Sequence, residues 1–135
     1  MAANPSPEVK AILKQTHDLT TDLSNDTLGM AGILLSKELI SIEAYSKMLL
    51  LSLTPAEKAA VMIESTRKIV EKAPEKFTEF VEALSGQACA KEVVEKLRST
   101  YQSELKMLYY NMLSTVDREI FIVKNFSSTT FSEEN

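Results

Sequence analysis

Apolar residues recur along most of this chain at helical spacing, in segments that short polar stretches separate. The clearest segment lies within KAPEKFTEFVEALSGQ, residues 72–87. Its apolar positions, spaced i, i+3, i+4 and i+7, are Phe77, Phe80, Val81 and Leu84. The acidic residues on its other side are Glu75, Glu79 and Glu82. This one-sided pattern predicts an amphipathic helix that fills a core with one face and meets solvent or a partner with the other.

The same spacing predicts five further helices. They cover residues 7–23, about 27–35, about 41–50, 55–72 and 90–101, and apolar positions continue the last one as far as 112. The start of 55–72 has the strongest local signal, because Thr54 can cap it, Pro55 suits the first helical position and Glu57 can reach back to Thr54. The helix at 7–23 is predicted to be continuous.

Some predictions concern single positions within these helices. Gly86 follows the acidic helix and suits a left-handed C-terminal cap. Gly29 and Gly32 would permit a close approach between helices, since neither carries a side chain. The third helix is predicted to have one buried stripe, which consists of Ile42, Tyr45, Met48 and Leu49.

The C-terminal stretch after the six helices is apolar and ambiguous. The segment REIFIVKNF is short and rich in β-branched and aromatic residues, so its pattern fits a strand as well as a helix. The final SSTTFSEEN is expected to be disordered. The apolar residues of this tail are Tyr109, Tyr110, Ile120, Phe121, Ile122 and Phe126. They either pack back on the bundle or form a segment that binds a partner or another copy.

Composition narrows the class of protein. Three Gly and four Pro in 135 residues are too few for a loop-rich or all-β fold, so an all-α domain is expected. The net charge of −4 gives no basic excess for nucleic-acid binding. The start MAANPSPEVK has no apolar h-region, so no secretory signal is expected, and the longest apolar run, Met48–Leu51, is far short of a membrane span. A single cysteine fits a reducing compartment, so a cytoplasmic location is expected.

Candidate catalytic and metal-binding groups are scarce. One His and one Cys are too few for a conventional zinc site, and no Gly-rich phosphate loop is present. A nucleophile needs an adjacent base, but His17 precedes Cys89 by about seventy residues and lies on a polar helix face. We therefore expect a solvated His17, a small apolar Cys89, no cofactor and no enzymatic activity.

Four segments resemble one known family. TPAEKAAVMI is similar to the start of the fourth helix of caspase-recruitment domains, and APEKFTEFVEALSGQ to their fifth helix with its Phe-x-x-Phe core. GQACAKEVVEKL resembles the turn and sixth helix that follow, and DTLGMAGILLSKELIS the second helix and its link to the third. The resemblance covers about residues 8–101. It departs from the family in two features. The first helix shows no obvious kink here, and the family's usual basic cluster on the first and fourth helices is diluted by Glu57, Glu64 and Glu71.

The resemblance implies an all-α, six-helix antiparallel bundle of the death-fold (CARD-like) type. It divides the chain into a flexible N-terminus at 1–6, the domain at 7–106 and a partly disordered C-terminal extension at 107–135. It also implies a non-enzymatic adaptor in apoptotic or innate-immune signalling, which binds other such domains or itself and can form oligomers or filaments. No nucleic acid and no membrane span are expected.

Two charged sides would carry that association. The basic candidates are Lys10, Lys14, Arg67, Lys68 and Lys72. The acidic candidates near the second and third helices are Asp26, Glu38 and Glu43. The acidic stripe described above, Glu75, Glu79 and Glu82, adds three more. Complementary charges of this kind steer encounter and fix register more than they add affinity.

Two other functions fit the same sequence. The first is a helical scaffold or regulator whose apolar tail, about 107–126, binds a partner. The second is a small enzyme acting through Cys89, for which the sequence offers no supporting base.

Overall fold

The computed structural model describes residues 5–124, and within that range it contains eight α-helices and no strand. The helices are α1 (Pro7–Lys14), α2 (Thr16–Leu23), α3 (Thr27–Ser36), α4 (Ile42–Met48), α5 (Pro55–Lys72), α6 (Lys76–Ser85), α7 (Lys91–Met112) and α8 (Thr115–Ile122). A single 3-10 turn, Ala88–Ala90, precedes α7. The prediction of an all-α chain is confirmed for these residues.

Side-chain caps start most of the helices where polar residues interrupt the apolar pattern. Ser6, Asp26 and Ser41 each accept a hydrogen bond from the backbone N–H three residues ahead, at the starts of α1, α3 and α4. At α5 the predicted reciprocal cap is present: the Glu57 N–H donates to Thr54 Oγ1 at 3.1 Å, and the Thr54 N–H donates to Glu57 Oε1 at 2.8 Å. Local sequence therefore sets these boundaries.

The first predicted helix is broken, and its prediction as one continuous helix over 7–23 is wrong. Gln15 separates α1 from α2 with φ −103° and ψ 14°, outside helical geometry. Its side-chain amide donates to Thr100 Oγ1 on α7 at 3.0 Å. The break lets α1 pack chiefly against α7 while α2 packs chiefly against α5. Long-range packing, rather than a Pro or Gly, places it.

The hydrophobic core is one cluster that receives side chains from every helix from α1 to α7. Helix α5 lies at its centre and contacts α1, α2, α3, α4 and α6. The four apolar residues of the clearest predicted stripe are all buried, and Phe80 and Leu84 are 0% exposed. Their predicted role as core residues is confirmed, and Glu75, Glu79 and Glu82 lie exposed on the outside.

The buried stripe predicted for the third helix is only partly correct. Met48 is buried and Tyr45 half-buried, but Ile42 is 74% and Leu49 52% exposed. Ala44 takes an inward position instead. The Ser41 N–H donates to Ser65 Oγ of α5 at 2.9 Å, and this bond ties the start of α4 to α5.

The left-handed residue of the described chain is Glu38, with φ 59°, and the prediction of Gly86 for that role is wrong. The Leu39 N–H donates to the Leu34 carbonyl at 2.7 Å and the Glu38 N–H to the Leu35 carbonyl at 3.0 Å, the two bonds of a Schellman cap. Gly86 has φ −78° and ends α6 in a right-handed conformation.

The two glycines of α3 do not bring helices together. A Cβ atom on Gly32 would meet nothing within 4 Å, so no neighbouring helix approaches it closely. A Cβ on Gly29 would lie 2.2 Å from Oδ2 of Asp26, the residue that caps α3. Gly29 is therefore needed by the cap, and the predicted close approach at these positions is wrong.

The ambiguous C-terminal segment is helical as far as the structure describes it. Helix α7 runs without interruption across the expected domain boundary at 106/107, and α8 follows after Leu113 and Ser114. Phe126, SSTTFSEEN and residues 1–4 lie outside the described residues. Among the helices described, none is long and apolar enough to cross a membrane.

Candidate interaction surfaces

The basic candidates of α1 bind a carboxylate of their own chain. Lys14 and Lys10 both reach Glu104 of α7; the Lys14 Nζ donates a hydrogen bond to Oε2, and the Lys10 Nζ lies 3.7 Å from Oε1. The Glu104 side chain is only 11% exposed. The hydrogen bond from Lys14, with the charges of both lysines, holds the pKa of Glu104 below its ordinary value of 4.5. These lysines therefore clamp α1 to α7.

Two more polar contacts join the N-terminal helices to α7. Lys96 Nζ donates to Asp18 Oδ2 at 2.8 Å, and this bond lowers the pKa of Asp18 and raises that of Lys96. The Tyr101 hydroxyl donates to Glu8 Oε2 at 2.9 Å, while burial raises the pKa of Tyr101 above 10.0. Polar side chains thus join α1 and α2 to α7 at several points.

The basic candidates of α5 are largely neutralised on their own helix. Arg67 lies 3.5 Å from Glu64 and 3.3 Å from Glu71, and Lys68 lies 3.9 Å from the same Glu64 oxygen. Lys72 is exposed and forms no ion pair with the part of the chain that the structure describes. The three residues therefore do not form a strongly basic patch. This agrees with the sequence, in which glutamates are interleaved with them.

The acidic candidates are spread over several surfaces. Asp26 caps α3, and Glu38 lies at the left-handed turn after that helix. Glu79 of α6 lies 3.5 Å from Lys76, whereas Glu75 and Glu82 are exposed with no ion-pair partner in residues 5–124.

One cleft brings an acidic and a basic candidate together. It lies between α4 and α5, has a volume of about 230 Å³ and is lined by polar side chains. The charged residues that line it are Glu43, Lys47, Glu64 and Lys68. Glu43 and Lys68 therefore belong to one mixed surface, and not to two separate sides of opposite charge.

An exposed apolar patch lies on α4 and on the loop that follows it. Ile42, Leu49, Leu50 and Leu51 are 74%, 52%, 51% and 97% exposed. We call these four residues the α4 patch. Because Ile42 and Glu43 are consecutive, the Ile42 end of the patch adjoins the charged cleft. Exposed apolar groups beside charged ones are typical of binding surfaces. The run of three leucines, which breaks helical spacing, is the sequence signal for it.

The C-terminal hairpin, which comprises α7 from Leu105 onward and α8, is a second exposed apolar region. The Phe121 ring lies 5.5 Å from that of Tyr109 and 6.2 Å from that of Tyr110. Arg118 lies 5.0 Å over the Tyr110 ring and donates through Nε to the Tyr110 carbonyl at 3.1 Å. None of the residues of α8 is buried. The described part of the tail therefore adds nothing to the bundle core.

The two residues considered for catalysis show no link. Cys89 is a half-buried free thiol in the 3-10 turn, and His17 is exposed on α2. In the described range no hydrogen bond joins their side chains, and no group of three His, Cys, Asp or Glu residues is placed to hold a metal ion.

The chain was compared with protein-family models, with curated proteins and with solved structures, and it matches none of them.

Proposed function

We propose that this chain is a protein-interaction module of the death-fold, CARD-like type, which acts as an adaptor by binding similar domains or further copies of itself. The α4 patch carries the proposal. Four large apolar side chains of α4 and the following loop are exposed, and one of them, Ile42, directly precedes Glu43 of a cleft that Lys47, Glu64 and Lys68 also line. Specific interfaces have this composition, with an apolar centre and a polar rim.

The break of the first helix at Gln15 also supports the family assignment. The sequence suggested an unkinked first helix, which was a departure from caspase-recruitment domains. The structure divides that helix into α1 and α2, so this departure is removed. A role in apoptotic or innate-immune signalling and a cytoplasmic location, where the thiol of Cys89 stays reduced, belong to the same proposal.

The contact through the α4 patch is expected to be heterologous. The patch and cleft carry both charge signs, and a surface on another part of a second domain can complement them. A heterologous contact that does not close on itself propagates into a filament. Raising the salt concentration should slow assembly, because rim charges such as Lys68 and Glu43 act mainly on encounter.

Substitutions in the patch test this function directly. Ile42→Ser and Leu51→Ser should abolish assembly seen by electron microscopy and light scattering over a concentration and salt series. Neither should reduce the free energy of unfolding, because both side chains are exposed. Leu28→Ser is the matched control, since Leu28 is also an exposed apolar residue, 47% exposed on α3. Unchanged assembly in both patch variants would refute the proposed surface.

Charge reversal separates the two basic candidates of α5. Lys68→Glu should weaken association, because Lys68 lines the cleft. Arg67→Glu should do less, because Arg67 already lies between Glu64 and Glu71. If neither reversal changes self-association or partner binding, both residues lie outside the interface.

The alternative function, a scaffold whose tail binds a partner, is supported by a separate observation. The C-terminal hairpin exposes apolar side chains that the bundle does not cover.

A further inference from the structure

The methionines of the described chain fall into two groups by exposure. Met30, Met48 and Met62 belong to the core and are 1%, 0% and 0% exposed. Met107 and Met112 lie outside it and are 52% and 76% exposed. Both belong to the part of α7 that leaves the bundle. Within residues 5–124, the exposed thioether groups are therefore those of the C-terminal hairpin.

Exposure decides how readily a thioether is oxidised. The sulfur lone pair attacks one oxygen of hydrogen peroxide, so that an S–O bond forms as the O–O bond breaks. The leaving hydroxide takes the proton from the attacked oxygen and becomes water. The sulfur loses two electrons and the peroxide gains them, so no cofactor is required. A buried sulfur meets the oxidant only when the core opens, whereas an exposed one meets it directly.

Met107 lies at the contact between α7 and α8. An apolar concavity of about 270 Å³ is formed by the two helices, and Met107 lines it together with Lys106, Tyr110, Phe121 and Ile122. A thioether suits such a wall, because it is apolar, flexible and compatible with aromatic neighbours. A sulfoxide does not, since its S–O dipole is better solvated by water than by apolar side chains.

The packing of α8 on α7 is exposed and therefore sensitive to such a change. None of the residues of α8 is buried. The Phe121 ring lies 6.2 Å from the Tyr110 ring, and Ile122 is 43% exposed. Phe121 and Ile122 are also the residues through which α8 lines the concavity of Met107. A sulfoxide at Met107 draws water into this contact and so weakens it, while the bundle core remains intact.

Met112 has different surroundings, although it lies on the same helix. It is the last residue of α7 and lies about 140° around the helix axis from Met107. With 76% of its surface exposed, it keeps its sulfur in solvent whether or not that sulfur is oxidised. The two methionines thus undergo the same reaction with different consequences for the hairpin.

We propose that Met107 is a redox-sensitive modification site, at which oxidation by a hydroperoxide loosens α8 from α7 and methionine sulfoxide reductases restore the contact. Met112 is oxidised at the same time with little structural effect, and the three core methionines are spared. This inference uses no residue of the α4 patch and does not depend on the function proposed above.

Peptide mapping by mass spectrometry locates the sulfoxides. The parent protein is Cys89→Ser, which removes the free thiol as a competing target. In graded hydrogen peroxide under native conditions, Met107 and Met112 should form sulfoxide at least about tenfold faster than the three core methionines. In urea, where their exposure no longer differs, all five should react at similar rates. Native-state oxidation of Met107 no faster than that of the core methionines would overturn the inference.

Hydrogen exchange shows what the sulfoxide does to the hairpin. In the oxidised parent protein, exchange in α8 should be at least about threefold faster than before oxidation, while exchange in α5 stays unchanged. Treatment with both methionine sulfoxide reductases, one for each sulfoxide epimer, should return α8 to its original rate. Unchanged exchange in α8, or an equal increase in α5, would mean that the sulfoxide does not act on the contact between α7 and α8.

Two leucine variants of the parent protein assign the effect to one methionine. Met107→Leu keeps an apolar side chain of similar volume at the concavity but has no sulfur, so exchange in α8 should no longer respond to peroxide. Met112→Leu is the matched control and should respond as the parent protein does. Before oxidation both variants should exchange at the parent rate. A full response in Met107→Leu, or a lost response in Met112→Leu, would contradict the assignment to Met107.

Discussion

The two ends of α7 differ in their surroundings, although they belong to one continuous helix. At its N-terminal end Val94 and Leu97 are almost fully buried by α1, α6 and the 3-10 turn. At its C-terminal end Leu108 and Met112 occupy the same side of the helix and are 48% and 76% exposed. Helical spacing shows which residues share a side, but only the neighbouring elements decide whether that side is buried.

Truncation of a core side chain should show the largest difference between the two regions. Phe80→Ala removes a fully buried aromatic ring and should lower the free energy of unfolding by about 3–5 kcal/mol. Met112→Ala, on the exposed end of α7, should change it by less than about 0.5 kcal/mol in dilute, monomeric protein. Urea unfolding followed by circular dichroism measures both. Equal losses would mean that the hairpin belongs to the core.

The clamp at Glu104 lies at the border between the two regions and should have an intermediate effect. Glu104→Gln should lower the free energy of unfolding at pH 7 by about 1 kcal/mol, because the carboxylate is largely buried but its lysine partners are exposed.

The effect should also depend on pH. Because the folded-state pKa of Glu104 lies below its ordinary value of 4.5, its contribution is complete above that value and is lost as the pH falls through the folded-state pKa. The stabilities of wild type and Glu104→Gln should therefore begin to approach each other below pH 4.5 and converge as the pH falls through the folded-state pKa of Glu104. Glu95→Gln, an exposed residue of α7 without an ion-pair partner in the described chain, is the control and should remain close to wild type at each pH.

Two glycine exchanges test where the chain needs a left-handed residue. Glu38→Gly should raise the free energy of unfolding by about 0.5–1 kcal/mol, since φ is 59° there and glycine adopts that conformation without strain. Gly86→Ala should leave the free energy of unfolding unchanged or raise it by roughly a few tenths of a kcal/mol, because alanine adopts a φ of −78° without strain. Thermal unfolding measures both changes. A marked loss of stability in Gly86→Ala would restore the sequence-based prediction.

The smallest global effect is expected from the contact that holds α8. Arg118→Ala removes the ring contact with Tyr110 and two bonds to carbonyl oxygens of α7. It should change global stability by less than about 0.5 kcal/mol but speed hydrogen exchange in α8, because local opening there leaves the bundle folded. Exchange in α5 serves as the internal control. Slower or unchanged exchange in α8 would mean that Arg118 does not hold the hairpin.

Features with a local cause could be predicted from the sequence. The reciprocal cap of Thr54 and Glu57 and the buried stripe of Phe77, Phe80, Val81 and Leu84 depend on residues a few positions apart. The start of α8 also has a local cause, since Ser114 caps it by accepting a bond from the Asp117 N–H at 3.3 Å. That signal was present in the sequence, but the β-branched residues that follow obscured it.

Features with a distant cause could not be predicted from the sequence. The break at Gln15 accompanies a hydrogen bond to Thr100, 85 residues away in the chain. Lys10 and Lys14 form ion pairs with Glu104, and Glu104 lies beside α1 only in the folded protein. Ile42 is exposed where α4 meets α5, and the bond there joins Ser41 to Ser65, 24 residues away in the chain. The candidate surfaces consist mainly of such features, so residue types alone indicated which charged groups are available but not which of them lie together.

The uninterrupted course of α7 has a mechanical consequence. Its 22 residues contain neither Gly nor Pro, so the helix is a stiff rod of about 33 Å that leads from the bundle into the hairpin. A contact made by the hairpin therefore fixes the orientation of the whole domain and not only the position of a flexible tail.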